Sequence, residues 1–433
     1  MASWIRSTLG RIRASRFSTD VIWLTALSGI ERVAAVIQTV LVARALGISE
    51  YGVYGLLFGT LGFVASVAGL QMGLTATVYI AKYRQHEKAK VALVIQYVTR
   101  FAFFVAISFV VLTIPFADQL STWLLNSEKY AATLVLGCVF VGATLLSGTQ
   151  DGILQGFEDF KSLAKARILT SFLTVIAVYP AAIVFGVAGV VFAVLSGVII
   201  KYALLYFAVK KHKCINEIPE SGSGLRYADV IFRFSLPSVF INLLVGAVAW
   251  LGTFLLSRQH GGFESLAIVN IGLQWRGPVL LLAASLGSVA IPAFSRYAEQ
   301  ENSLASSRLQ RKMLWLNCAI AAGFSTALVL ISTPLLGLYG HAFEGGRLIF
   351  SLLVASTVPQ VLVNVYMQNF VGQGQLWRVL TMHTPFLFMS MVGYVTLVPK
   401  YGAMGFAATT LASSSMFWLY LIAISGKKKW GGL

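Results

Sequence analysis

Six ionisable residues stand inside long apolar stretches of the sequence. Two are acids and four are bases: Glu31, Asp151, Arg32, Arg100, Lys201 and Arg276. A charge at the centre of a membrane helix costs roughly 2.5 to 3.5 kcal/mol on insertion scales, so each of these residues is a functional candidate. If all six face one cavity, that cavity is positive. An anion leaving water needs such fixed cations and donors to offset its lost hydration.

Each of these charges also has a structural interpretation. Arg100 and Lys201 lie near the predicted inner ends of their helices and can reach the membrane interface with their long side chains. Asp151 can serve simply to neutralise a nearby lysine, and Arg32 or Arg276 can pair with Glu31 or with a neighbouring helix. A third use applies to the acids: Glu31 and Asp151 are candidates for taking up H+ or Na+ as a coupling ion.

Uncharged polar residues accompany the charges. Gln38 follows Glu31 by seven positions, which places both on one stripe of a helix. Asn270 and Gln274 precede Arg276 on another predicted helix. These amides can contact a polar ligand or join helices to one another.

The elements that must position these residues are membrane helices. The chain is 57% hydrophobic and 11% charged, against about a quarter charged in soluble domains. Its apolar runs reach the roughly 20 residues that cross a bilayer as helix, whereas a membrane barrel would show alternating segments of about ten. We predict an all-α polytopic membrane protein with about twelve spans, over residues 21–45, 51–80, 91–115, 131–156, 166–186, 188–209, 230–257, 264–294, 313–339, 346–371, 380–398 and 403–425.

The basic residues that give the chain its net charge of +17 are concentrated on one predicted side of the membrane. Basic clusters such as Lys427, Lys428 and Lys429 fall in the segments that are inner if the N-terminus is cytoplasmic. The predicted outer turns hold few basic residues, namely Arg44, Lys129, Arg258, Arg347 and Lys400. This asymmetry predicts that both termini are cytoplasmic, and it argues against a nucleic-acid partner.

The chain repeats itself at a nearly constant offset. A shift of 214 residues brings residues 39–83 onto 253–297, and a shift of 216 brings Gly186 onto Gly402. Because each half has six spans, the halves must be parallel repeats related by an axis along the membrane normal. We predict an N-terminal six-helix lobe over 1–209, a cytoplasmic linker over 210–229 and a C-terminal six-helix lobe over 230–433.

The segment "ARALGISEYGVYGLLFGTLGFVASVAGLQMGLTATVYIAKY", together with the 6+6 layout, resembles the polysaccharide biosynthesis protein family. These are O-antigen-type lipid-linked oligosaccharide flippases of the multidrug/oligosaccharidyl-lipid/polysaccharide exporter superfamily. The resemblance implies two lobes around a central cavity that alternates between inward-open and outward-open states. It also implies a bacterial or archaeal cell membrane, the inner one where there are two, and undecaprenyl-pyrophosphate-linked glycan as the substrate.

On this resemblance, the predicted substrate-binding residues are Arg32, Arg276, Arg100, Lys201, Gln38, Asn270 and Gln274. The cations would hold the pyrophosphate, the amides would bind sugar hydroxyls, and the lipid tails would stay in the membrane. The glycan polymerase machinery is a further candidate partner. Drug exporters of the superfamily share the helix count, so a multidrug or small-solute exporter is the alternative.

The sequence disfavours catalysis. It lacks the Cys-x-x-Cys and His-Glu-x-x-His spacings of metal sites and the Gly-x-Ser-x-Gly elbow of serine hydrolases. We therefore expect a protein that is not an enzyme and that needs no metal or other cofactor.

Overall fold

The computed structural model describes residues 2–85, 87–212, 227–300, 303–373 and 376–427. Within these ranges, every regular element is a helix. The α-helices are α1 Ala2–Ala68, α2 Met72–Tyr83, α3 Lys88–Thr113, α4 Ala117–Leu125, α5 Ala131–Phe157, α6 Phe160–Lys210, α7 Tyr227–Ser257, α8 Gly262–Glu299, α9 Ser303–Leu330, α10 Ser332–Gly337, α11 Arg347–Ala355, α12 Thr357–Gly372 and α13 Leu376–Lys427. Short 3₁₀ turns occupy Ile114–Phe116, Glu128–Tyr130 and His341–Gly346.

The predicted spans are largely helical, as expected for an all-α chain. Helices α6 and α13 each contain two predicted spans, and α1 contains the first span and most of the second, which continues into α2. The spans 313–339 and 346–371 are each divided, between α9 and α10 and between α11 and α12. Helices α1, α6 and α13 are interrupted by non-helical backbone at Gly47, Gly186 and Gly402. These glycines lie at or between the predicted span ends, so each marks a turn from one crossing to the next. Most of the predicted linker, residues 213–226, lies outside the described part of the chain.

The two repeats use the same backbone device to reverse direction. Gly186 has φ 58° and ψ −139°, and Gly402 has φ 55° and ψ −133°. Only glycine adopts such a conformation readily. A second glycine follows three residues later in each half, at Gly189 and Gly405. A Cβ added at either position would lie about 2 Å from the carbonyl oxygen of the residue eight positions earlier. The repeat seen in the sequence is therefore repeated in the backbone.

The chain forms two compact units. Unit 1 comprises Met1–Thr39, Val64–Ala117 and Ala131–Leu236, and unit 2 comprises Val40–Phe63, Asp118–Tyr130 and Pro237–Leu433. The predicted lobes differ from these units in three places: 230–236 belong to unit 1, whereas 40–63 and 118–130 pack with the second half of the chain. The reason is visible at Gly52 and Gly55, where the absence of a side chain lets α1 approach Phe263 and Asn270 of α8.

Helix α5 is the centre of unit 1 and packs on α2, α3 and α6. Its glycines recur every fourth residue, at 148, 152 and 156, which is the spacing that lets membrane helices approach closely. Gly152 meets Gly73 of α2 backbone to backbone, and the Thr77 hydroxyl donates to the Gly152 carbonyl at 3.0 Å. Small residues thus set the distance between α2 and α5.

The Gly152 contact is testable against a glycine of the same helix. A Cβ at residue 152 would lie 2.0 Å from the Gly73 carbonyl oxygen, whereas a Cβ at Gly148 meets nothing within 4 Å. We expect Gly152→Ala to destabilise the protein by about 2 kcal/mol or more, because backbone must shift to admit the methyl group. Gly148→Ala should be neutral or slightly stabilising, since alanine favours helix. Thermal unfolding midpoints in detergent measure both, and equal midpoints would contradict this packing.

Helix α12 is the corresponding centre of unit 2 and packs on α8, α9 and α13. Residues 40–63 of α1 belong to the same unit. Tyr51 is buried there, and its ring contacts those of Tyr339 and Phe343. Arg44 donates from Nε to the Leu338 carbonyl at 2.7 Å. Arg44 and Tyr51 therefore fix the first hairpin turn to the segment that follows α10.

Candidate functional site

Unit 1 contains a network of two acids and two bases. The Asp151 carboxylate lies 3.2 Å from Nη2 of Arg167 and 3.3 Å from Nζ of Lys201. The Arg167 Nε also donates to Oδ1 of Asp151 at 3.4 Å, and its Nη1 lies 3.6 Å from the Glu31 carboxylate. The Asp151 side chain is only 11% exposed, so these contacts operate in partly dry surroundings. The four charges sum to zero.

The turn within α6 brings the two cations of this network together. Arg167 precedes Gly186 by nineteen residues and Lys201 follows it by fifteen, so both lie roughly 22 to 28 Å from the turn along antiparallel halves of α6. Helix α5 places Asp151 between them, and α1 adds Glu31. Three predicted site residues, Glu31, Asp151 and Lys201, are thus in one cluster.

Arg167 was not among the predicted site residues. It follows Lys161 and Lys165, and the charge pattern groups all three as an inner basic segment at the start of the predicted span 166–186. Helix α6 begins at Phe160, so Arg167 already lies two turns inside the helix. The repeat contains a signal for it. At the shift of 216, Arg167 corresponds to His383, so the shared scaffold does not require an arginine at this position.

The other predicted residues of unit 1 lie apart from this network. Arg32 is exposed on α1, next to Glu31, and Gln38 is partly buried on the same helix. Arg100 is exposed on α3, and its neighbours Phe103, Phe104 and Ile107 are exposed as well. A substrate-binding role for Arg32, Arg100 and Gln38 stays a prediction.

Unit 2 contains a half-open cavity of about 390 Å³, and the remaining predicted cation lines it. Its walls come from α1, α7, α8, α12 and both halves of α13. The volume is within the range of ligand pockets. The lining residues are Gly55, Gly59, Phe63, Val245, Gly246, Val248, Ala249, Trp250, Thr253, Asn270, Leu273, Arg276, Gln360, Phe386, Leu387, Ser390, Tyr394, Phe406, Thr410, Ser413 and Ser414.

Arg276 gives this cavity its charge. The arginine is 7% exposed, and its Nη2 donates a hydrogen bond to Oε1 of Gln360. Its Nε has no hydrogen-bond partner among the described residues. No aspartate or glutamate is found among the described residues that line the cavity. The guanidinium is therefore oriented by a neutral amide, and its positive charge is not cancelled.

Two more polar atoms of the cavity lack partners within the described chain, Nδ2 of Asn270 and Oγ of Ser390. Asn270 lies against Gly55, where an added Cβ would be 1.6 Å from Nδ2. The Tyr394 and Thr410 hydroxyls, by contrast, bond each other at 3.1 Å. Unsatisfied buried polar groups are rare and call for an explanation, and a bound ligand is one. A guanidinium, an amide N–H and a hydroxyl form a set that suits an oxyanion.

Aromatic rings form the side of the cavity near residue 250. The Trp250 indole donates to the Thr60 hydroxyl at 2.9 Å and stacks on Phe254 with ring centroids 5.0 Å apart. Trp123 of α4 stacks on Phe254 at 4.8 Å. Of these three rings, Trp250 lines the cavity, whereas Phe254 and Trp123 stack outside the lining and support it.

Of the residues predicted in α8, Asn270 and Arg276 line the cavity, and Gln274 is partly buried but is not among the lining residues. The sequence did not indicate Gln360, Ser390 or Tyr394. Single amides and hydroxyls in apolar helices are usual, so only the fold shows that these three share a cavity with Arg276. In the part of the chain with described side chains, no three His, Cys, Asp or Glu residues gather as metal ligands.

A family model described as "Polysaccharide biosynthesis protein" matches residues 17–298, well over half of the chain. The chain belongs to this polysaccharide biosynthesis protein family. Among curated relatives, it is similar to the EPS I polysaccharide export inner membrane protein EpsE of Ralstonia nicotianae, at 25% identity over 191 residues. That alignment spans 42% of this chain and 42% of EpsE, so the chain matches less than half of its relative's length.

Two solved structures confirm the fold of this family member. A multidrug resistance MATE family transporter of the MOP superfamily, in an inward-facing conformation, superposes with TM-score 0.76 at 17% identity, covering 93% of this chain and 96% of that one. The lipid II flippase MurJ, in an inward closed conformation, gives TM-score 0.75 at 16% identity, covering 94% and 88%. The chain thus shares the fold of these two proteins over more than nine-tenths of its length.

Proposed function

We propose that this chain is a flippase that moves an undecaprenyl-pyrophosphate-linked oligosaccharide from the cytoplasmic to the outer leaflet by alternating access. The observation that carries the proposal is Arg276, a buried cation whose charge is cancelled by none of the lining residues that the structure describes. A pyrophosphate leaving water requires such a cation and further donors. The family description and the inner-membrane name of EpsE agree with a role in glycan export.

Arg276 lies fourteen residues after the start of α8 at Gly262, or about 21 Å along the helix. Asn270 lies about 9 Å nearer that start. If the pyrophosphate is held at Arg276, the sugars extend toward Asn270, Ser390 and the hydroxyls of α13. Arg32, Arg100, Lys201, Gln38 and Gln274 complete the proposed substrate-binding set. Glycan polymerase machinery would receive the product.

The deciding experiment uses the purified full chain in proteoliposomes. An undecaprenyl-pyrophosphate oligosaccharide is placed in one leaflet, and its arrival in the other is read with a glycan-cleaving enzyme added outside. Protein-dependent cleavage supports the proposal. If several such lipids fail to move while a cationic drug is transported, the exporter alternative replaces it. Reporter fusions at the C-terminus test the proposed cytoplasmic position of the termini in the inner membrane.

The coupling ion belongs to the same proposal. Glu31 and Asp151 are the acids of the unit 1 network, and both contact Arg167. Uptake of a proton by either acid would weaken its hold on Arg167 and give the cycle a response to the gradient. Asp151→Asn and Glu31→Gln should therefore remove the dependence of transport on an H+ or Na+ gradient. An unchanged gradient dependence in both variants would eliminate this role.

A further inference from the structure

Gln360 occupies an unusual position for an uncharged residue, since it is the described partner of the buried guanidinium of Arg276. It stands near the start of α12, which packs on α8, the helix of Arg276. That start is fixed to α9: the Thr357 and Ser325 hydroxyls lie 2.9 Å apart and both are buried. Gln360 is therefore held on a rigid element.

Glutamine and glutamate have the same shape, and each can accept a hydrogen bond from Arg276 through Oε1. A carboxylate would bind the guanidinium more strongly than the amide does, because a charge-assisted hydrogen bond is roughly twice as strong as a neutral one. It would also leave the cavity without net charge, since Arg276 is the only charged residue among the described residues that line it. Whether residue 360 carries an amide or a carboxylate thus decides whether the cavity is positive or neutral, and its shape stays the same.

We propose that Gln360 sets the charge selectivity of the unit 2 cavity, orienting Arg276 without cancelling its charge. This inference rests on the proposed function for the identity of the substrate, but it makes a separate statement about charge. The Nε of Arg276, which has no hydrogen-bond partner among the described residues, is then left to bond an oxyanion. Gln360 is a positioning residue, because it acts through Arg276.

The test compares Gln360→Glu with Gln360→Met, which removes the acceptor but adds no charge. We expect Gln360→Glu to lower transport of the undecaprenyl-pyrophosphate oligosaccharide at least about 100-fold, because a carboxylate bonded to Arg276 cancels the charge that attracts the substrate anion. Gln360→Met should cost about tenfold or less, as it loses only orientation. A merely structural role predicts the reverse order, since glutamate preserves the hydrogen bond. Transport by Gln360→Glu equal to or above that of Gln360→Met would overturn the proposal.

Binding to the purified protein separates this inference from the proposed function. Inorganic pyrophosphate should bind the wild-type chain and not Gln360→Glu, whereas ethidium, a cation, should bind Gln360→Glu better. If no lipid-linked glycan is transported but this exchange of preference is seen, the flippase proposal fails and the charge inference stands. If both probes bind the two proteins equally, the charge inference fails. The exchanged pair Arg276→Gln/Gln360→Arg should regain pyrophosphate binding relative to Arg276→Gln, and no gain would count against it.

Discussion

Replacing Arg276 with methionine is expected to reduce glycan-lipid transport about 100-fold, since truncating one partner of a buried charge contact costs roughly 2 to 5 kcal/mol. The arginine is the charge of the unit 2 cavity, and Gln360 cannot substitute for it. The measurement is the initial flipping rate in proteoliposomes at matched protein density.

Arg276→Lys is the matched variant. Lysine keeps the positive charge but lacks the planar fork that can bond Gln360 and the substrate together, so we expect an intermediate loss. Unfolding midpoints should fall little in either variant, because removing a buried charge that has no carboxylate partner removes a desolvation cost as well. Full transport by Arg276→Met would contradict a pyrophosphate site at this residue.

The helices could be predicted well because apolar length and glycine carry their signal locally. Gly186 and Gly402 marked the boundary between spans in each half, and the structure turns at both. The packing of residues 40–63 with unit 2 could not be predicted, because it depends on Gly52 and Gly55 meeting α8, a contact between residues more than 200 positions apart.

The site could be predicted only where a residue is unusual by itself. Arg276 is conspicuous in an apolar helix, and the structure buries it in a cavity. Gln360 and Ser390 are common residue types in membrane helices, so their importance depends on their neighbours. Arg167 was hidden by the adjacent lysines, although it contacts both acids of the unit 1 network.

The repeat provides an internal comparison for that network. At the shift of 216, Asp151, Arg167 and Lys201 correspond to Met367, His383 and Phe417. Met367 and Phe417 belong to one buried apolar cluster of unit 2, and the His383 ring packs on Phe417 with centroids 5.3 Å apart. The fold therefore builds the same helix contact once from charges and once from apolar side chains. Its charged form is not required by the scaffold.

Asp151→Met should destabilise the protein by about 3 kcal/mol, because it leaves Arg167 and Lys201 without their shared carboxylate in partly dry surroundings. The triple substitution Asp151→Met/Arg167→His/Lys201→Phe copies the residues of unit 2 and should restore most of that loss, since a buried ion cluster can be replaced by packed apolar groups at little cost. The triple substitution also removes the partner of Glu31. Because the Glu31 side chain is 31% exposed, solvent can hydrate its charge when Arg167 is absent.

Thermal unfolding midpoints of the wild-type chain, the single variant and the triple variant measure this effect, and the flipping rate of each, with and without an ion gradient, shows its consequence. We expect the triple variant to be as stable as the wild type and to have lost its response to the gradient. Such a result would assign the charges of unit 1 to the transport cycle. A stable triple variant that still responds to the gradient would make the network structural, and a triple variant less stable than Asp151→Met would show that the two repeats do not share this contact.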